Sequence, residues 1–290
     1  MNWAIGQHPN IQVMPETAWM VDYVTGAFAA FERGSARGQF SHFSNANFQL
    51  ESFLSHVALS IHAIVLDVYG RRCEQRYGNH RQSEIVLDFE NPEVEFQVRR
   101  SWEDPKIRWI DSTPLNTHYV WALAKLFPGA KFIHNLRAPA DVAISLNTFD
   151  TTGAQAAELE AGLKTWLQHT GDALLAEEAF GPERVMRLDY HRIASDPEAL
   201  MREVLSFLGE NFCSDCLGPL ATKVNSSKPE SVRSHLMEQV HSLAIYDDAR
   251  ALYDHACDGD FSTSRQETAL DDLEQKFRSH WRRAYPFVSG

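Results

Sequence analysis

The chain is short of cysteine, of positive charge and of long apolar runs, and each shortage removes a class of function. Four cysteines in 290 residues, at positions 73, 213, 216 and 257, cannot build a disulfide scaffold. The 27 basic residues are outnumbered by 39 acidic ones, and the net charge of −12 argues against nucleic acid or an anionic membrane as the main partner. An anion must then be held by a local site. No apolar run approaches the ~20 residues of a membrane span, and the N-terminus lacks the charged and apolar regions of a signal peptide. The expectation is a cytoplasmic, soluble chain without membrane or nucleic-acid partners. Cys213-Ser-Asp-Cys216 has CxxC spacing, but no second pair completes a tetrahedral metal set. It also follows a helix end at Gly209 instead of opening a helix after a strand, so neither a metal nor redox chemistry is expected there.

What is present is a hydrophobic content of 44%, sufficient for one large α/β domain or a domain with a lobe. Its most informative segment runs from Lys131 to Ser145. The apolar run Phe132 to Leu136 reads as a covered strand, Arg137 falls at the turn, and Pro139 suits the start of a helix. Open parallel sheets bind ligands at such an edge. Arg137 offers a planar fork of donors to an anion, and Ser145 a hydroxyl, although an ion-paired arginine and a helix-surface serine would look the same in sequence.

The surrounding pattern alternates strands with amphipathic helices. Residues 107–111 form a strand, Val120, Leu123 and Phe127 follow helical spacing, Pro128-Gly129 stops that helix, and the strand ending at Leu136 pairs in parallel to complete a βαβ unit. Leu159, Leu163, Trp166, Leu167, Thr170 and Leu174 line a long helix. Residues 185–190 make the next strand. Ser195 or Asp196 caps a helix carrying Leu200, Val204 and Leu208, which ends at Gly209. Residues 48–69 read as a helix with Phe53, Leu54, Val57, Ile61 and Ile64 inward, while 93–98 alternates with period two and suits pairing with 84–89. A last helix carries Leu270, Leu273, Phe277 and Trp281 on one face. The fold class expected is α/β, a parallel sheet with helices on both faces and an inserted, mostly helical lobe.

Four segments in order then resemble a known family. They are His8-Pro9 through Glu16-Thr17, Asp111-Ser-Thr-Pro114, Phe127 through Arg137 to Ser145, and Arg187-Leu-Asp-Tyr190 with Asp196-Pro-Glu198 and Phe207-Leu-Gly209. Together they are similar to the sulfotransferases that use 3′-phosphoadenosine 5′-phosphosulfate (PAPS) as co-substrate and release the bisphosphate PAP, without a metal. The resemblance implies a P-loop NTPase-like sulfotransferase fold over a single domain, 1–290. Within it, 18–105 would form the acceptor side, 106–210 the nucleotide-binding core and 211–290 a C-terminal loop and helix. It implies that Arg137 and Ser145 bind the 3′-phosphate and that Tyr190 lies near the adenine, where a core-edge aromatic is the plainer reading. Lys228 is either a further phosphate contact or a solvated loop lysine. The spacing from His8-Pro9 to Glu16-Thr17 resembles the tyrosylprotein sulfotransferase branch, which implies Glu16 as general base for the acceptor.

Two departures accompany the resemblance. The family's opening strand and Pro-Arg-Ser-Gly-Thr-Thr loop, which cradles the 5′-phosphosulfate, have no counterpart here, and no other segment offers a Gly-rich phosphate loop. Met1 is expected within the helix that follows that loop. Many relatives also carry a lysine where this chain has Ser112, and Pro114 stands where cytosolic members place a catalytic histidine. His118 is a weak substitute, and Lys106 and Arg108 are nearby charges. The function implied is sulfuryl transfer from PAPS to a hydroxyl or amine of a small-molecule or peptide acceptor; the alternative is a catalytically degenerate sulfotransferase-like binding domain. Oligomeric state is not legible.

Overall fold

The computed structural model describes residues 1–14, 16–77, 106–147, 158–221, 230–259 and 265–284. The chain divides into two compact units, the first made of Met1–Ala130, Gly209–Thr222 and Glu274–Gly290, the second of Lys131–Leu208 and Lys223–Leu273.

In the first unit, α1 (Asn2–Ile5) turns into β1 (Ile11–Val13), which pairs in parallel with β2 (Arg108–Ile110), Ile11 opposite Arg108 and Val13 opposite Ile110. The turn closes on Lys106. Its ammonium is buried and donates to the carbonyls of Gly6, His8 and Ile11 at 2.8, 2.7 and 3.0 Å. Three carbonyl dipoles thus replace the water that a buried cation loses. Its backbone sits at φ +44°, a left-handed conformation that a lysine keeps only where its surroundings hold it.

Around this pair lie α2 (Ala18–Ser35), α3 (His42–Asn45), α4 (Leu50–Tyr77) and α5 (Val120–Leu126), the last entered through a 3-10 turn at Pro114–Tyr119. Leu54, Val57, Ile61 and Val65 form the buried stripe of α4. Ile64, expected inward, is instead 40% exposed, because the steps of three and four residues from Leu54 land on its neighbour. Over Leu50–Arg71 this helix is long and apolar enough to cross a membrane by length and composition alone, which a search for an unbroken apolar run does not register. The ring of Phe28 packs on Trp121 and Phe277, with centroids 5.6 and 4.8 Å away. Phe277 belongs to α12 (Gln266–Ala284).

In the second unit, β3 (Phe132–Leu136) and β4 (Val185–Asp189) pair in parallel from Phe132 opposite Val185 to Leu136 opposite Asp189. The βαβ reading of residues 107–137 is corrected here. Among the described residues the strand partner of β3 is β4, and that of β2 is β1. A crossover through α5 does not oblige the strands it joins to be neighbours.

Helices α6 (Pro139–Asn147), α7 (Leu159–Phe180), α10 (Glu230–His241) and α11 (Ile245–Asp258) share a core built on Leu136, Ala143, Leu163, Trp166, Val240 and Ala256. Gly162 permits α7 to lie against α6, since a Cβ there would stand 3.0 Å from the Cα of Ala143. After α8 (Arg192–Ser195), the Asp196 carboxylate accepts from the Ala199 amide at 3.4 Å and so heads α9 (Pro197–Leu208), which Gly209 ends at φ +76°. The chain is thus an α/β fold, mostly helical, with small parallel sheets. The strands expected at 84–89 and 93–98 lie outside the described residues.

Candidate functional site

Register brings Arg137 and Tyr190 together. Leu136 and Asp189 are partners at the ends of β3 and β4, the Tyr190 amide donates to the Leu136 carbonyl at 3.0 Å, and the next side chains emerge side by side. The Arg137 guanidinium carbon stands 4.9 Å from the centre of the Tyr190 ring. The Trp166 indole donates to the Arg137 carbonyl at 2.9 Å, fixing the turn from behind. The Arg137 Nε is buried and, among the described residues, meets no hydrogen-bond partner. A buried donor of this kind is costly unless a ligand satisfies it.

Ser145 is half-buried on α6, eight residues on from Arg137. The Asp141 carboxylate in the first turn of α6 is paired with Arg233 at 2.5 Å, which offsets its charge near the helix start. Tyr190, just past the end of β4, is 36% exposed. The Arg137 guanidinium, its unpartnered Nε and the exposed Tyr190 face are groups that fit a phosphate-bearing nucleotide. Lys228 lies outside the described residues.

The two strands are tied from below by a buried carboxylate. Glu177 on α7 accepts from His134 Nδ1 at 2.5 Å and from the Arg187 guanidinium, whose Nη1 also donates to the carbonyls of Ala256 and Gly259 at 2.5 and 2.7 Å. Burial pushes the Glu177 carboxyl up, yet the bonds from His134 and Arg187 outweigh it and hold the group below its ordinary value. This network clamps β3, β4, α7 and the end of α11.

In the first unit a second carboxylate organises the segment that carries Glu16. Asp111 accepts from the Thr17 hydroxyl at 2.5 Å, the Thr113 amide and hydroxyl at 3.0 and 2.7 Å, and the Asn116 amide at 2.8 Å. The Thr17 amide in turn donates to the Thr113 hydroxyl at 2.6 Å. Glu16 is thereby held next to the Asp111–Pro114 turn, with its own side chain exposed. Ser112 is exposed in that turn and accepts from Asn2 Nδ2 at 2.9 Å.

The other charges considered from sequence are committed elsewhere. Lys106 is spent on backbone carbonyls, and Arg108 pairs with Glu210 at 2.5 Å. His118 stacks on His280 at 5.6 Å.

The sequence model described as "Sulfotransferase family" matches residues 4–214, nearly three-quarters of the chain. The chain belongs to the sulfotransferase family. The matched span includes Glu16, Ser112, Arg137, Ser145 and Tyr190 and stops short of Lys228. Over 109 residues this sulfotransferase-family chain is 32% identical to an uncharacterized protein of Aquifex aeolicus (strain VF5), a stretch covering 36% of the chain and only 14% of that protein. It is also similar to the sulfotransferase domain from the Synechococcus PCC 7002 olefin synthase, with 16% identity, 89% of each chain covered and a TM-score of 0.45.

Sequence reasoning missed the roles of Asp111, Lys106 and Glu177. For Asp111 a signal existed: an aspartate two residues before Thr113-Pro114 has the spacing of a side-chain-to-amide turn. Neither of the others carried one, since their partners lie on other elements of the fold.

Proposed function

We propose that this chain transfers a sulfuryl group from PAPS to a hydroxyl or amine of a small-molecule or peptide acceptor, in the cytoplasm and without a metal. The observation that carries the reading is Arg137, whose buried Nε meets no hydrogen-bond partner among the described residues and whose guanidinium lies over the Tyr190 ring. Arg137 holds the 3′-phosphate by a charge-assisted fork, Ser145 adds a hydroxyl, Tyr190 lies near the adenine, and Lys228 is a further phosphate contact. PAPS supplies the sulfuryl group and, as PAP, the leaving group. Glu16 takes the proton of the acceptor as its oxygen or nitrogen attacks sulfur in line. Positioning of donor and acceptor supplies most of the acceleration.

The test is transfer of labelled sulfate from PAPS, together with calorimetry of PAP binding. Glu16→Gln is expected to lower turnover by about 10²- to 10⁴-fold while leaving PAP affinity unchanged. A protein that neither binds PAP nor transfers sulfate, and that is indifferent to Arg137→Ala, would overturn the reading. A second reading, a degenerate binding domain, is favoured by Ser112, a neutral hydroxyl where many relatives place a lysine. PAP binding with no transfer to any acceptor is the outcome that selects it.

A further inference from the structure

Cys213-Ser-Asp-Cys216 lacks the second pair of a tetrahedral metal set and follows the helix end at Gly209, so sequence alone points to no chemistry there. In the first unit it does something else. Cys213 heads a 3-10 helix, Ser214–Leu220, and the Cys216 amide donates to the Cys213 carbonyl at 3.2 Å, which folds the pair into one tight turn. Cα atoms at the two ends of such a turn lie within ~7 Å, a range that overlaps what a disulfide spans. The Cys213 side chain lies near enough to the Cys216 thiol to raise it. Cys216 is fully buried, whereas Cys213 is half-buried and lines an open cavity of about 420 Å³ with His8, Asn10, Glu210 and Asp215. That volume is within the range of small-molecule sites.

We propose that Cys213 and Cys216 form a redox-active dithiol that reacts with small-molecule disulfides, Cys213 as the attacking thiol and Cys216 as the resolving thiol. The division of labour follows from access and environment. An oxidant entering the cavity meets Cys213 and cannot reach Cys216. Burial pushes the Cys216 thiol up to about 12, and the neighbouring Cys213 and Asp215 add to this while Lys106 opposes it.

The Cys213 thiolate attacks one sulfur of the small disulfide, forming a mixed disulfide and releasing one small thiol. This step removes the Cys213 charge from beside Cys216, leaving the pull of Lys106 on the Cys216 proton less opposed. The Cys216 thiolate then attacks the Cys213 sulfur, closes the intramolecular disulfide and releases the second small thiol. In the balance, the small disulfide gains two electrons and two protons, and the dithiol loses them. The 3-10 helix packs on α1, so the bridge acts on the segment that leads into β1.

The experiment equilibrates the full chain in mixtures of oxidised and reduced glutathione, quenches in acid, alkylates free thiols and maps the peptides by mass spectrometry. The exposed Cys257 serves as an internal measure of ordinary thiol reactivity. The expected result is loss of two hydrogen atoms in a linked 213–216 peptide, following a single two-electron midpoint. In Cys216→Ser, glutathione should remain on Cys213, and in Cys213→Ser no adduct should form on Cys216. The proposal is overturned if, in the unmodified chain, Cys257 takes up glutathione while Cys213 and Cys216 both stay free to alkylation.

Discussion

The guanidinium of Arg137 and the ring of Tyr190 face each other at 4.9 Å because the strands that carry them end in register, Leu136 opposite Asp189. Two residues more than fifty positions apart thus share one surface. Removing the cation in Arg137→Ala should weaken PAP binding by about 10- to 150-fold, the worth of charge-assisted hydrogen bonds. Tyr190→Leu should cost about 2- to 30-fold, the range of an exposed to partly desolvated cation–π contact. Calorimetry measures both, and equal affinity in Arg137→Ala would place the phosphate grip elsewhere.

Asp111 is a positioning residue for the turn beside Glu16. Asp111→Ala leaves the donors of Thr17, Thr113 and Asn116 without their acceptor and should cost about 3 kcal/mol in urea unfolding. Asp111→Asn, which keeps an acceptor oxygen, should cost less. In the folded fraction of either variant, turnover should fall with PAP affinity preserved, the split that separates positioning of Glu16 from loss of the nucleotide grip.

Acid should weaken the second unit through Glu177. Its folded-state value is depressed, so near the ordinary glutamate value of ~4.3 the native chain binds fewer protons than the unfolded one. The stability it contributes is therefore complete above that value and disappears as pH falls through the lower folded value. Urea midpoints read from about pH 6 down to about pH 3 should drop in that window. Glu177→Gln should flatten the drop and lower stability at neutral pH, where His134 and Arg187 lose their charged partner. Glu210, held down by Asn10 and Arg108 against its burial, contributes to the first unit with the same sign.

Gly162 and Gly171 make a matched pair on α7. A methyl at Gly162 meets the backbone of Ala143 at 3.0 Å and should destabilise by about 1–3 kcal/mol, partly offset by better helix propensity. At Gly171 nothing lies within 4 Å of the added carbon, and Gly171→Ala should stabilise by up to ~1 kcal/mol. Thermal melts of the two variants should shift in opposite directions.

The local features of the fold were legible in sequence. Pro139 opened α6, Gly209 closed α9, and the bounds of β3 came from an apolar run between turn signals. The place of Arg137 was legible too, between the end of β3 and the proline that opens α6. What escaped was everything set by pairing. The partnership of β3 with β4 depends on tertiary packing that no local period encodes. The Asp111–Thr17 and Glu177–His134 contacts join residues 94 and 43 positions apart, and a lone acidic residue in sequence does not announce such partners. Ile64 was misassigned by one helical step, an error of about 100° around the axis.

Lys106 has a kinetic consequence as well as a structural one. Its three carbonyl partners lie 95 to 100 residues earlier in the chain. On the ribosome, the first helix and strand emerge long before the cation that closes their turn, and strand β2, the hydrogen-bonding partner of β1, follows directly behind that cation. Contacts of such high sequence separation are slow to form and cannot be made before residue 106 has been synthesised. The segment that carries α1 and β1 is therefore among the last in its unit to become secure.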